Sequence, residues 1–273
     1  MAPKFSNRMD LSMVPQIFYR RALRNEHADA GAPPMTSTAA DSAIPPGAPS
    51  ARTRVRRAAY RGHYDRPTLE AILDDAYVCH VAFADDSGVH CIPTACWREG
   101  DHLYIHGSNG SRMLKLAAAG AQVCVTVTHL DGLVLARSAF NHSMNYRSAV
   151  IYGEFEVVPD ARKAAVLDTF VERIAPGRSR DARPGDASEL AATTVLRIAL
   201  DEVATKVRTG GPKDDEADLG LPVWAGVLPM REAHFAPLTD AAPAGVPDYV
   251  RRWQDAVPLR ETQDEEARRA AAR

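Results

Sequence analysis

Residues 102–112 read HLYIHGSNGSR. Leu103-Tyr104-Ile105-His106 has the composition of a strand, and Gly107-Ser108-Asn109-Gly110-Ser111 is small and polar. Arg112 follows, and Met113-Leu114-Lys115-Leu116-Ala117-Ala118-Ala119 has the composition of a helix. A strand, a polar turn and a helix start in that order gather hydroxyls, unpaired backbone N–H groups and a guanidinium around one point. That set suits a phosphate, because a helix N-terminus carries free donors and partial positive charge and arginine offers a fork matched to phosphate oxygens. An ordinary N-cap, with Ser111 as the capping residue and Arg112 solvated, accounts for the same residues equally well.

Regular patterning extends on both sides of this stretch. Upstream, Asp65-Arg66-Pro67 opens a helix with Asp65 as cap and Leu69, Ile72 and Leu73 on one face. Strands are expected at 77–84, 89–98, 102–106, 121–129, 132–138 and 149–158, with hairpin-like turns at Asp85-Asp86-Ser87-Gly88 and Glu99-Gly100-Asp101. In 121–129, Val123, Val125 and Val127 share one face, and Cys124, Thr126 and Thr128 share the other. This is the pattern of a barrel wall with a packed inside. A helix is expected over 160–175, capped by Asp160 and stopped by Pro176-Gly177. Its stripe is Val166, Leu167, Phe170, Val171 and Ile174. A long strand over 194–208 slips phase at Asp201-Glu202, which reads as a β-bulge. Residues 223–228 form a last short strand. Many short strands in hairpin order with few helices give a mainly β class, an antiparallel barrel with accessory helices. Neither βαβ alternation nor a GxGxxG fingerprint is present, so a doubly wound nucleotide fold is not expected.

Composition narrows the function classes. The chain has 273 residues, 45% of them hydrophobic, enough for a core. Lys+Arg 33 against Asp+Glu 35 leaves a net charge of −2, unlike a general nucleic-acid binder. No apolar run approaches the roughly 20 residues of a membrane span, and no signal-peptide core is visible, so a cytoplasmic protein is expected. The cysteines, Cys79, Cys91, Cys96 and Cys124, form no CxxC pair, and no metal site is expected. They read as small buried hydrophobes in a reducing compartment, with Cys91 and Cys96 on opposite faces of one strand. Residues 1–54, rich in Ala, Pro, Ser and Thr over 28–51, are expected to be a disordered extension. Within it, 9–24 could form a short basic amphipathic piece, and Met35 offers a second start. The folded domain is expected over 55–255 and a charged tail over 256–273.

Three further segments bear on chemistry. Residues 139–148, AFNHSMNYRS, crowd Asn141, His142, Ser143, Asn145, Tyr146, Arg147 and Ser148 ahead of a strand. Ile92-Pro93-Thr94 places a proline in a strand, which requires an edge or a bulge. Trp224 lies in VWAGV, over 223–227, and is either a core residue or a wall for a ligand.

CIPTACWREGDHLYIHGSNGSRMLKL, VTVTHLDGLVLARSAFNHSMNYRSAVIYGEFEVV, ELAATTVLRIALDEVATKVRTGGPKDDEAD and VWAGVLP together resemble the pyridoxamine 5′-phosphate oxidase-like split-barrel family. Within it they resemble the flavin-nucleotide-binding, nitroimidazole-reductase-type branch. The resemblance runs over about 55–255. It implies a six-stranded antiparallel split β-barrel and a homodimer with FMN at its interface. It also implies flavin chemistry on a small molecule, for which a nitroaromatic is a candidate. Carried over by motif, Ser111 and Arg112 hold the phosphate, after His106, Gly107 and Ser108. Ile92, Pro93 and Thr94 line the flavin ring, and Asn145, Tyr146, Arg147 and Ser148 complete the site. Trp224 is a further candidate. His106 and His142 are the proton donors by residue type, and Arg147 or His142 would face the flavin's pyrimidine edge. The chain departs from the oxidases proper at Met113, where they carry lysine, and in lacking an Arg-x-His after Trp224, so vitamin B6 oxidation is not expected. The same barrel can hold other cofactors. One alternative is haem or a deazaflavin, with His106 or His142 as axial ligand in the haem case. Another is a flavin carrier or sensor without catalysis.

Overall fold

The computed structural model describes residues 47–240 and 245–253. Most of residues 1–54 and all of the tail 256–273 therefore lie outside the described residues. The part of the expected extension that is described, 47–54, packs on the domain. Thr53 is buried, Ser50 N donates to Thr53 Oγ1 at 3.0 Å, and Arg52 Nε donates to Glu202.

Two short elements open the domain, strand β1 (Gly62–His63) and helix α1 (Arg66–Asp74). Asp65 caps α1, its carboxylate accepting from Thr68 N at 2.9 Å, and Leu69, Ile72 and Leu73 turn inward as their spacing requires. Then come β2 (Val78–Asp85), β3 (Gly88–Glu99), β4 (His102–Ser108), helix α2 (Arg112–Ala118), β5 (Val123–Leu135), β6 (Ser143–Gly153) and β7 (Glu156–Val157). Helices α3 (Asp160–Ile174) and α4 (Ala187–Ala191), strands β8 (Thr193–Ala199), β9 (Val203–Arg208) and β10 (Gly226–Pro229), and a last turn of helix, α5 (Asp248–Arg251), complete the order.

The strands form one sheet in the order β1-β9-β6-β5-β2-β3-β4-β8-β7, with β10 added on β5, and the pairings are antiparallel. This is the expected mainly β class, a split barrel, but with ten described strands instead of six and with no pairing that closes the sheet. The barrel interior is filled by Val81, Phe83, Leu103, Ile105, Val123, Val125, Val127, Ile151, Leu196 and Ile198, with α1 and α2 plugging it. A smaller cluster lies outside, where Trp97, Tyr104 and Val195 meet Val166, Leu167 and Phe170 of α3. Among the described residues, no helix is long and apolar enough to cross a membrane.

Four local expectations change. The long strand over 194–208 is two strands. At Leu200-Asp201-Glu202 the chain leaves one end of the sheet for the other, so the phase slip marks a corner and not a bulge. Leu200 N donates to Asp101 O at 3.0 Å on one side, and Tyr152 N donates to Glu202 O at 2.9 Å on the other. Conversely, the strands expected at 121–129 and 132–138 are one strand, β5, whose register against β6 shifts between Leu130 and Gly132. Asp131 is the extra residue there. Gly132 admits β10, because a Cβ would stand 2.9 Å from Leu228 O. Strand β6 begins at Ser143, six residues before the expected start, so most of AFNHSMNYRS is strand and not loop. Helix α3 is capped by Pro159, with Asp160 in its first turn paired to Lys163 at 2.8 Å. A carboxylate there compensates the helix dipole without bonding the end amides. The cysteines divide: Cys79 and Cys96 are buried, Cys124 is half-buried and Cys91 is exposed.

Trp97 joins sheet to helix. It is 1% exposed, donates Nε1–H to Thr169 Oγ1 at 3.0 Å, stacks on Tyr104 at 5.5 Å and meets the Phe170 ring at a tilt at 4.9 Å. Trp97→Ala should cost about 3–5 kcal/mol, read as a fall in the urea midpoint. A smaller effect than Leu→Ala substitutions in the barrel would show that α3 does not depend on this contact.

Candidate functional site

The turn after β4 is held from both ends. Gly107 faces Leu114 so closely that a Cβ would stand 2.9 Å from its Cδ1. Ser108 Oγ accepts from Gly110 N at 3.2 Å, and Ser108 O accepts from Ser111 N at 2.9 Å. Asn109 staples the turn to β8. Its side-chain amide donates to Ala191 O at 2.7 Å, and its Oδ1 accepts from Thr194 Oγ1 at 2.7 Å. Ser111 is the N-cap of α2, accepting from Leu114 N at 3.4 Å. Met113 is buried in the core, so the site of the oxidases' lysine points inward and Arg112 alone of that pair faces out.

Arg112 lies over the β2–β3 turn. Its Nη1 is 3.2 Å from Asp85 Oδ2 and 3.5 Å from Ser87 Oγ, and its Nη2 is 3.3 Å from His90 Nδ1. His90 Nε2 is in turn 2.9 Å from Asp85 Oδ1. The Ser87 hydroxyl first, then His90, hold the Asp85 carboxyl well below the usual carboxylate range. On the same wall, β3 pairs with β2 through Ala95 and with β4 only from Cys96 onward. Ile92, Pro93 and Thr94 therefore lie along an open edge, where a strand tolerates proline.

The other candidates stand elsewhere. Arg147 is half-buried between two carboxylates, with Nη1 2.6 Å from Asp75 Oδ2 and Nη2 3.0 Å from Asp131 Oδ1. Asn145 is buried and accepts from Arg208 Nη1, while its own amide donates to Gly210 O at 3.1 Å. Tyr146 is half-buried opposite Leu130 and Arg208, and Ser148 Oγ donates to Lys206 O at 3.3 Å. His142 is exposed, with Nδ1 3.0 Å from Ser138 O. Trp224 is 62% exposed. Asp75 precedes β2 and Asp85 ends it, and the strand's eight residues span about 26 Å at ~3.3 Å each. Arg147 and Arg112, bound to those two carboxylates, therefore lie at opposite ends of β2. One chain does not bring the two halves of the expected site together. A cavity of about 110 Å³ lies beside Tyr64 and Leu200, and another of about 230 Å³ beside Arg180 and Tyr249. None of the candidate residues lines either one.

His106 differs from both groups. It packs on Phe170 at 4.5 Å and Trp97 at 5.7 Å. Burial pushes its pKa down, and its Nδ1 is buried with no hydrogen-bond partner among the described residues.

Asp75, Asp85, Ser87, His90, Asp131 and Arg208 were not singled out from the sequence. Asp85 and Ser87 were legible only as turn formers, and the 25-residue separation of Ser87 from Arg112 gives no pattern to find.

The family model described as pyridoxamine 5′-phosphate oxidase matches residues 65–207. Among solved structures, the chain is similar to a flavocytochrome from Azotobacter vinelandii. Identity is 40% and the TM-score 0.73, over 76% of this chain and 99% of that one. It is also similar to an FAD and haem binding protein from Mycobacterium smegmatis, at 39% identity and a TM-score of 0.69, over 71% and 97% of the two chains. No curated protein matches it.

Arg147→Ala would strip two carboxylates of their cation at a half-buried position. A loss of about 2–4 kcal/mol in denaturant unfolding is expected, and Arg147→Lys should recover less than half, because an ammonium cannot span both partners. An unchanged midpoint would show that Asp75 and Asp131 are solvated independently of Arg147.

Proposed function

This chain belongs to the pyridoxamine 5′-phosphate oxidase family, and from that premise we propose that it is a flavin-dependent oxidoreductase that also carries haem. The observation that carries the reading is the 40% identity maintained over 99% of a flavocytochrome. A second relative, named for FAD and haem, matches to nearly the same degree. The flavin, when bound, supplies the exchange between two-electron and one-electron chemistry. The chain's own groups suit that cofactor. Arg112 and Ser108 present donors to a phosphate ester, the feature common to FMN and FAD. Ile92 and Pro93 offer an apolar edge for the ring. For haem, His106 has the chemistry of an axial ligand: burial favours its neutral form, and one of its ring nitrogens is unclaimed.

We further infer a homodimer. The family resemblance puts the flavin between two copies, and in one copy the phosphate half and the Asn145–Ser148 half stand at opposite ends of β2. A row of exposed side chains, Leu228, Leu133 and Met144, crosses β10, β5 and β6 in register, and such a patch marks an association surface. Sedimentation at micromolar concentration should give about twice the 29.7 kDa chain mass. A monomer that retains cofactor would refute the shared site.

The absorption spectrum of the purified full chain tests the cofactors. Flavin bands together with a Soret band are expected, and His106→Ala should abolish the Soret band while leaving the flavin bands. Retention of the Soret band in His106→Ala with its loss in His142→Ala would move the ligand to the surface histidine. Absence of both bands after reconstitution would sink the reading.

A further inference from the structure

The geometry around Arg112 points to a role for Asp85: we propose that its carboxylate stands in for the cofactor phosphate on Arg112, so that a flavin phosphate binds by exchange with it and a doubly charged phosphate is disfavoured. The inference rests on the flavin reading above.

The turn does not need Arg112. Asp85 Oδ1 is already filled by Ser87 N at 2.8 Å, Ser87 Oγ at 2.6 Å and His90 Nε2 at 2.9 Å. Only Oδ2 is turned to the guanidinium. Helix α2 does not need Asp85 either, because Met113, Leu114 and Ala117 anchor it in the core. The pair therefore joins two elements that are each secured without it. A guanidinium receives a carboxylate and a phosphate through the same N–H fork. The Arg112 side chain is 56% exposed, and a partly exposed pair of this kind is cheap to break.

His90 fixes the resting arrangement. An arginine only donates, so His90 Nδ1 accepts from Arg112, and the ring proton sits on Nε2 towards Asp85. The groups facing Arg112 from the turn are thus one carboxylate, one neutral imidazole and one hydroxyl. An incoming phosphate meets the Asp85 charge at close range. The FMN monoester approaches two negative charges at pH 7, with a second pKa of about 6, whereas each phosphate of FAD carries one. Asp85 consequently opposes FMN more than FAD.

The test uses the full chain stripped of flavin and titrated with riboflavin, FMN and FAD. Asp85→Asn keeps the acceptor for Ser87 N and removes the charge. It should tighten FMN about fivefold, the scale of a partly exposed ion pair, tighten FAD less and leave riboflavin unchanged. In an Arg112→Ala background the gain should shrink, because freeing the guanidinium no longer contributes and only the repulsion of the phosphate by Asp85 is relieved. Asp85→Ser serves as a second uncharged variant if Asp85→Asn melts early. Unchanged or weaker FMN binding in a folded, uncharged variant would overturn the proposal while leaving the flavin reading standing. If the wild type binds none of the three flavins, the flavin reading falls and this inference falls with it.

Discussion

The change of partner along β3 shapes the molecule. Its first eight residues, Gly88–Ala95, pair with β2, and its last four, Cys96–Glu99, pair with β4. A strand that hands over from one neighbour to another must bend the sheet and leave an unpaired edge beside each half. The later edge is taken by α1, where Arg98 binds Asp74 at 2.7 Å and Glu70 at 3.2 Å. The earlier half of β3 meets α2 through His90, whose Nδ1 is 3.3 Å from Arg112 Nη2. Pro93 is tolerated because this half of β3 is an edge. Gly107 suits the strand end because a Cβ there would stand 2.9 Å from Leu114 Cδ1 of α2. The candidate phosphate residues stand where they do because the barrel is split at that point.

Much of this was legible. Alternation in β5 and the inward stripe of α1 are local periodicities, and each maps on one face of one element. The Asp65 and Ser111 caps follow from side-chain chemistry a few residues away. What was not legible depends on partners far along the chain. The slip at Asp201-Glu202 is the same in sequence whether the strand bulges or turns a corner. Only the bonds from Leu200 to Asp101 and from Tyr152 to Glu202 decide it. Likewise AFNHSMNYRS looks like a loop for its polarity. Yet Asn145 and Arg147 are polar because they answer Arg208 on one side and Asp75 and Asp131 on the other. Polar density in a strand can mark internal wiring as readily as a ligand site.

Charge balance separates the arginines by task. Arg147 sits between two carboxylates and is largely withdrawn from water, so moving it to a ligand would strand both partners. Arg208 is buried, and among the described residues its acceptors are amide and carbonyl oxygens, from Asn145, Gly210 and Gly211. Burial accordingly pushes its pKa down. Arg147 ties β6 to β5 and to the end of α1, and Arg208 ties β9 to β6 and to the loop after β9. Arg112 is the reverse case: it is exposed, has one carboxylate within reach and lies in an element anchored without it. An arginine that can change partners at small cost is the one suited to an exchangeable anion.

The histidines divide by the same reasoning. His142 is exposed at a turn and behaves as a surface imidazole. His90 has both ring nitrogens committed, one to Arg112 and one to Asp85, so its ligand capacity is spent on the turn. His106 has the environment of a coordinating residue, with aromatic walls, an unclaimed nitrogen and a pKa lowered by burial. A neutral imidazole in apolar surroundings gains more from a metal of a prosthetic group than from water it has already lost. Under the flavin-and-haem reading the split barrel thus supplies two unlike surfaces from one strand: Gly107 and Ser108 at the end of β4 serve an anion, and His106, one residue earlier and facing α3, serves a soft, uncharged coordination site.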